Sequence, residues 1–179
     1  MPKAPRLAPL KPEEWTDEMR ALLAPVTRRN GSVFNIFATF VRNPTAFKAF
    51  LPWATHVLNH SSLPPREREI LILRTGHLSG SDYEWRQHVR IARHVGMNDA
   101  DIARVKEGAA AGGWTAGERA LLALADELHA RQKASDATWA ELARHFREEQ
   151  VMDAIFCVGL YTAIAMALNS FGVEVDAGL

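Results

Sequence analysis

Apolar residues recur at helical spacing along almost the whole chain, and period-two alternation is scarce. Residues three and four apart share a face of an α-helix, whereas alternate residues share a face of a strand. The pattern predicts an all-α, multi-helix domain. At 179 residues the chain is long enough for one substantial core and short for two. Residues 1–179 are therefore read as a single helical domain, with the proline-rich residues 1–12 as an extended N-terminal arm over its surface.

Start and stop signals divide the pattern. A first helix is expected over Pro12 to Leu23, a second over Val33 to Val41, and a third from about Thr45 to Asn59 after Pro44. Ser61-Ser62 before Leu63-Pro64-Pro65 marks the start of a helix running to about Leu78, with Glu67 and Glu69 in its early turns, where the helix dipole favours negative charge. Gly80 breaks it. Ser81 opens the next helix, which ends at Gly96 with Met97 placed for a hydrophobic contact. Asn98 or Asp99 caps a short helix to Lys106, and residues 108–114 form a joint. Thr115 with Glu118 makes a capping box for a helix to about Arg131, Thr138 with Glu141 repeats that signal, and a final helix spans about Glu148 to Ser170. Arg66-Glu67-Arg68-Glu69-Ile70 and Arg147-Glu148-Glu149-Gln150-Val151 each open a stretch ending in glycine plus an apolar residue. This echo fits either two related helical units or similar capping demands.

Composition excludes several classes. The 21 basic and 21 acidic residues cancel and are spread along the chain, leaving no basic stripe for nucleic acid. Cys157 is the only cysteine, so the chain alone forms no disulfide or dithiol centre. The opening residues lack the apolar run of a secretory signal, and a cytoplasmic protein is expected. The apolar run Val151 to Phe171 is interrupted by Asp153, Tyr161, Thr162 and Asn169, which points to a buried or oligomer-facing helix rather than a membrane span.

The chemistry concentrates in residues 65–96. Ser81, Glu84, Trp85 and His88 fall on one helix face. If the break at Gly80 folds the two helices antiparallel, Glu69 approaches His88. A carboxylate beside an imidazole fixes its tautomer and leaves the other ring nitrogen to move a proton on a substrate. Simpler readings stand beside this one. Ser81 and Glu84 have the form of a capping box, His88 fits a core or interface position, Glu69 can pair with Arg66, Arg68 or Arg74 on a solvated face, and His77 suits the C-terminal end of a helix dipole. His77, Glu84, His88 and Glu69 offer enough donors for an ion, but the spacing matches neither di-iron bundles nor H-E-x-x-H, so no metal is expected.

The stretch REREILILRTGHLSGSDYEWRQHVRIARHVGM (66–97) resembles the carboxymuconolactone decarboxylase/alkyl hydroperoxidase D superfamily, with looser likeness from about Asn35 to Val173. It is most similar to decarboxylase-like members carrying a YEW-x-x-H segment. The hydroperoxidase branch places an upstream glutamate before C-x-x-C-x-x-x-H. With the histidine at His88, the glutamate falls at Glu69 and the cysteine positions at Ser81 and Glu84, which cannot exchange a disulfide. The decarboxylase branch implies a cofactor-free lyase or isomerase acting on a small unsaturated carboxylate or lactone. That implies His88 as proton carrier, Glu69 as its orienter or a second acid, and Tyr83 or Ser81 as oxyanion donor, with Glu84 beside them and Arg74 or Arg86 for a substrate carboxylate. A mostly apolar pocket holding His88, Glu69 and Tyr83 is expected, with Trp85 lining it or bracing its helix. The resemblance also implies a homo-oligomer, trimer or hexamer. A hydroperoxidase-like oxidoreductase and a non-catalytic helical interaction protein are the alternatives.

Overall fold

The structure, a computed structural model, describes residues 4–177; the first three residues of the expected arm lie outside them. The described residues form nine α-helices and no strand: α1 (Asp17–Leu23), α2 (Asn35–Phe40), α3 (Pro44–Thr55), α4 (Pro65–Leu78), α5 (Asp82–His94), α6 (Asp99–Glu107), α7 (Ala116–Arg131), α8 (Asp136–His145) and α9 (Glu148–Phe171). A π-helical turn, His56–His60, extends α3.

Helix α4 is the axis of the fold. Ile70, Leu71, Ile72 and Leu73 are consecutive and all inaccessible to solvent, so this helix is covered on every side. Leu71 and Ile72 join Leu121, Leu124 and the buried face of α9, while Ile70 and Leu73 join Ala92, Met97, Ile102, Trp114 and Leu122. Helices α5, α7 and α9 pack directly against it. Glu84 of α5 lies by Gly76 of α4, and His88 by Glu69, so the two helices run antiparallel. The arm lies on the end of α9, where the Arg6 and Leu7 amides donate to the Phe171 carbonyl.

Most termini follow the sequence signals. Ser81 caps α5 and Thr115 caps α7, the latter with the full capping box through Glu118. Gly96 and Gly172 adopt left-handed backbone (φ 90° and 73°), and the Met97 and Val173 amides donate to carbonyls five residues back. Other signals misled. Pro12–Glu14 is a short 3-10 turn, and α1 begins only after Thr16, whose hydroxyl accepts from the Met19 amide. The second helix starts at Asn35 rather than Val33. Ser61 and Ser62 cap nothing in α4. They are drawn to Asp153, whose carboxylate accepts from the Ser62 amide and hydroxyl at 2.6 and 2.7 Å. Ser135, not Thr138, caps α8, and Glu141 pairs outward with Arg144 and His145. The echo between residues 66–97 and 147–173 compares an antiparallel helix pair with one straight helix. Its shared ending is a shared C-cap.

Helix α9 is long and apolar enough to cross a membrane by length and composition alone, yet it is mostly buried. Three of its polar residues have partners within the protein: Asp153 accepts from the serines above and pairs with His56, Gln150 bonds Arg147 and Ser62, and Asn169 donates to the Ser79 carbonyl. Met152, Phe156, Gly159, Ala163 and Met166 form one exposed stripe along it.

Candidate active site

The inward turn of α5 is set by its own spacing. Ser81 Oγ accepts from the Glu84 amide at the helix start, which places Glu84 and His88 one above the other toward α4 and α9. His88 Nδ1 lies 2.7 Å from Glu69 Oε2. Glu69 is wholly inaccessible to solvent and His88 is 7% exposed, so the solvated-face reading of Glu69 is overturned. Arg68 Nε sits 3.5 Å from the other Glu69 oxygen and offsets its charge. A carboxylate at this distance accepts, so in a neutral ring Nδ1 carries the hydrogen and Nε2 holds the lone pair. The Tyr161 ring meets the imidazole edge-on, centroids 4.9 Å apart.

His88 forms part of the wall of a cavity of about 270 Å³, lined by Phe34, Ile36, Phe37, Phe50, Leu58 and Ile164 and by Glu84, Gln87 and Tyr161. This lies between the volume that holds a benzene, roughly 150 Å³, and that of a typical small-molecule site. A single substituted ring fits it. Neither arginine nor lysine is among the described residues that line it.

The expected site residues divide. Glu69 stands behind His88 rather than in the cavity wall. Glu84 is in the wall, 3% exposed, and among the described residues neither carboxyl oxygen has a partner within hydrogen-bond distance. It does not reach back to Ser81's amide, so the full capping box is not formed. Burial pushes its carboxyl up to about 8, against a smaller opposing effect of the Ser81 hydroxyl. Gly76 leaves the room it occupies, since a Cβ there would come within 3.4 Å of the Glu84 Cβ. Tyr83 also lines the cavity, but its hydroxyl donates to Asp176 Oδ2 at 2.5 Å and is raised by burial first and that bond second. Ser81 is buried as the cap of α5 and borders a separate surface hollow with His77, Trp85 and Lys106.

Neither expected arginine reaches the cavity. Arg74 is held by Asp126 and the carbonyls of Val105 and Lys106, and Arg86 pairs with Asp82 at the surface. Trp85 braces α5, with Lys106 over its ring and His77 edge-on to it. His77 is exposed at the end of α4. Cys157 is buried, and burial pushes its thiol up. Among the described residues no group of three or more His, Cys, Asp or Glu is arranged to hold a metal ion.

Sequence reasoning missed Tyr161, Gln87 and Asp176. Tyr161 stood out only as a polar interruption of an apolar run, which marks a buried helix and not a site. Asp176 receives the Asn35 amide, the Tyr83 hydroxyl and the Gln87 amide, tying the end of the chain to both α2 and α5. Nothing local in the sequence marks that contact.

Residues 44–127 match the profile of the Carboxymuconolactone decarboxylase family. No curated protein matches significantly. Among solved structures, an uncharacterized peroxidase-related protein with an alkylhydroperoxidase AhpD core, from Ralstonia eutropha JMP134, superposes with TM-score 0.83 at 20% identity, covering 98% of this chain and 94% of that one. A protein of unknown function named for AhpD, from Agrobacterium tumefaciens, gives TM-score 0.71 at 24% identity over 77% of this chain and 96% of that one. The debrominase Bmp8, in complex with 2,3,4-tribromopyrrole, gives 0.79 at 19% identity over 96% and 91%. At these identities the likeness is one of fold.

Proposed function

The chain belongs to the carboxymuconolactone decarboxylase/AhpD-like superfamily, and from that premise we propose that it is an acid–base lyase or isomerase acting on a small unsaturated lactone or carboxylate. One observation carries the reading: an imidazole fixed by a buried carboxylate at 2.7 Å, in the wall of an apolar cavity of ring size.

In an isomerisation, His88 Nε2 takes a proton from the carbon between a carbonyl and a double bond. The C–H electron pair enters a dienolate whose charge rests on the carbonyl oxygen, while Glu69 steadies the imidazolium. His88 then returns the proton to the far carbon, and the double bond has moved into conjugation. In a decarboxylation, the pair released by C–C cleavage fills the same dienolate and CO2 leaves. His88, starting as imidazolium, supplies the proton. Apolar walls keep water from the intermediate.

The hydroperoxidase alternative finds little support. Ser81 and Glu84 stand at the positions of the cysteine pair, and Cys157 is a single buried thiol. A non-catalytic packing role accounts poorly for open space beside His88. The tribromopyrrole bound by Bmp8 is itself a small unsaturated ring, in keeping with the ligand size proposed here.

We also propose a homo-oligomer. The exposed α9 stripe has four-three-four-three spacing, the seam of a coiled coil. It is symmetric about Tyr161: Phe156 and Met166 are equally distant from it, as are Gly159 and Ala163. Two copies of α9 packed antiparallel would oppose large to large at the ends and small to small at the crossing.

The test of the catalytic reading is deuterium uptake from D2O into α-angelica lactone, together with its conversion to the conjugated isomer. Wild type should catalyse both, and His88→Ala should be slower by about a hundredfold or more with helicity unchanged. A variant within about twofold of wild type, or a wild type no faster than buffer, would remove the proposal.

A further inference from the structure

We propose that Glu84, as a neutral carboxylic acid, donates a hydrogen bond to the carbonyl oxygen of an uncharged, ring-sized unsaturated ligand, and that the cavity selects such ligands over free carboxylates. This rests on the reading of the cavity as the site and narrows its substrate class.

Glu84 is buried, it belongs to the cavity wall, and among the described residues neither carboxyl oxygen has a partner within hydrogen-bond distance; the Ser81 hydroxyl, beyond that distance, opposes the effect of burial without cancelling it. Buried polar groups are almost always paired, and an orphan calls for an unrecorded partner. Among the described residues no cationic side chain is placed to pair with it as an anion. The charged and titratable groups around this space are Glu69 and Arg68 from α4, Cys157 and Tyr161 from α9, and Tyr83 and His88 from α5, and Arg68 is already engaged by Glu69. A second anion beside Glu69 would face like charge in an apolar surround. The neutral acid avoids that cost and acquires an O–H to give away.

The same electrostatics describe the ligand. A carboxylate entering this cavity meets no arginine or lysine among the described lining residues, and the two cationic residues expected for it are held elsewhere. A neutral carbonyl needs only a donor. Tyr83 cannot supply one readily, because its hydrogen is committed to Asp176. Glu84 can, and it sits one helical turn from His88 on the same face. A carbonyl held by Glu84 would therefore have its ring beside the imidazole.

The probes are cyclohexenone, which is neutral, and cyclohexenecarboxylate, which carries a charge on the same ring. Binding is measured by calorimetry, and the carboxylic-acid carbonyl stretch by difference infrared spectroscopy of the wild-type protein. Cyclohexenone should bind at least tenfold more tightly than the carboxylate at pH 6 and shift a protonated-acid band. Its affinity should fall as pH rises through about 8, where Glu84 ionises. Glu84→Gln keeps an N–H donor, so it should bind cyclohexenone with no such pH dependence and lack the band. Glu84→Leu should lose at least tenfold. Equal or tighter binding of the carboxylate, no measurable binding of cyclohexenone, or an unshifted acid band overturns the proposal. His88→Ala separates this from the catalytic reading: it should abolish deuterium uptake while bound cyclohexenone still shifts the protonated-acid band of Glu84. If uptake survives in that variant, the proton-transfer role fails and the binding result still decides the role of Glu84.

Discussion

A carboxyl group taken from water without a partner is costly when charged and tolerable when neutral, which makes Glu84 a lever on stability as well as on binding. Its folded pKa, about 8, lies above the ordinary 4.5. Between those values the folded protein holds a proton that the unfolded chain has lost, so stability falls as pH rises across the window and levels off above it. Glu84→Gln has no proton to lose. Its stability relative to wild type should rise by about 1.4 kcal/mol per pH unit within the window, read from urea unfolding at a series of pH values. Parallel stability profiles would mean that Glu84 has a partner. At this scale the sequence was a partial guide. The four-residue spacing of Glu84 and His88 put both on one face, and the burial of α5's inward side kept them there. Arg74 and Arg86 were equally plausible by position, but which way each points depended on Asp126 and Asp82. Glu69 lay between an arginine and an isoleucine, and only a helix covered on all sides explains why it is inside.

Helix junctions depend on charge that is paired across elements. Arg66 of α4 donates to Glu118 of α7 at 2.7 Å and to Asp101 of α6 at 2.9 Å. Against burial, which raises both carboxyls, these bonds and local N–H donors hold them below their ordinary values. Depressed carboxyls stabilise the fold above their unfolded pKa values and lose that contribution as pH falls through the folded ones. Arg66→Ala should cost about 1–3 kcal/mol near neutrality, and the gap to wild type should shrink below pH 4. Thermal melts at pH 7 and pH 3 measure it; a constant gap would show that the ion pairs contribute nothing. Element types and most caps were legible because they are local. Ser61, Ser62 and Thr138 were not, because Asp153 and Ser135 claim the bonds that their own positions seemed to offer. Tyr161 and Asp176 enter the site from sequence distances that no local pattern reports.

At the scale of the whole molecule, the α9 stripe predicts assembly about a two-fold axis. Light scattering at micromolar concentration should give an even multiple of 19.9 kDa, and Phe156→Glu should shift it toward the single chain. A wild-type monomer or trimer would remove the antiparallel α9 contact. Proton transfer in the cavity rests on the imidazole of His88, and nitrogen NMR reads its protonated atom. With Glu69 accepting from Nδ1, the neutral ring should carry its hydrogen there and leave Nε2 bare, and Glu69→Gln should weaken that preference. Filling the cavity with cyclohexenone should shift the Nε2 resonance. A neutral ring protonated at Nε2, or an Nε2 signal indifferent to the occupied cavity, would contradict a proton carrier held by Glu69 and facing the ligand.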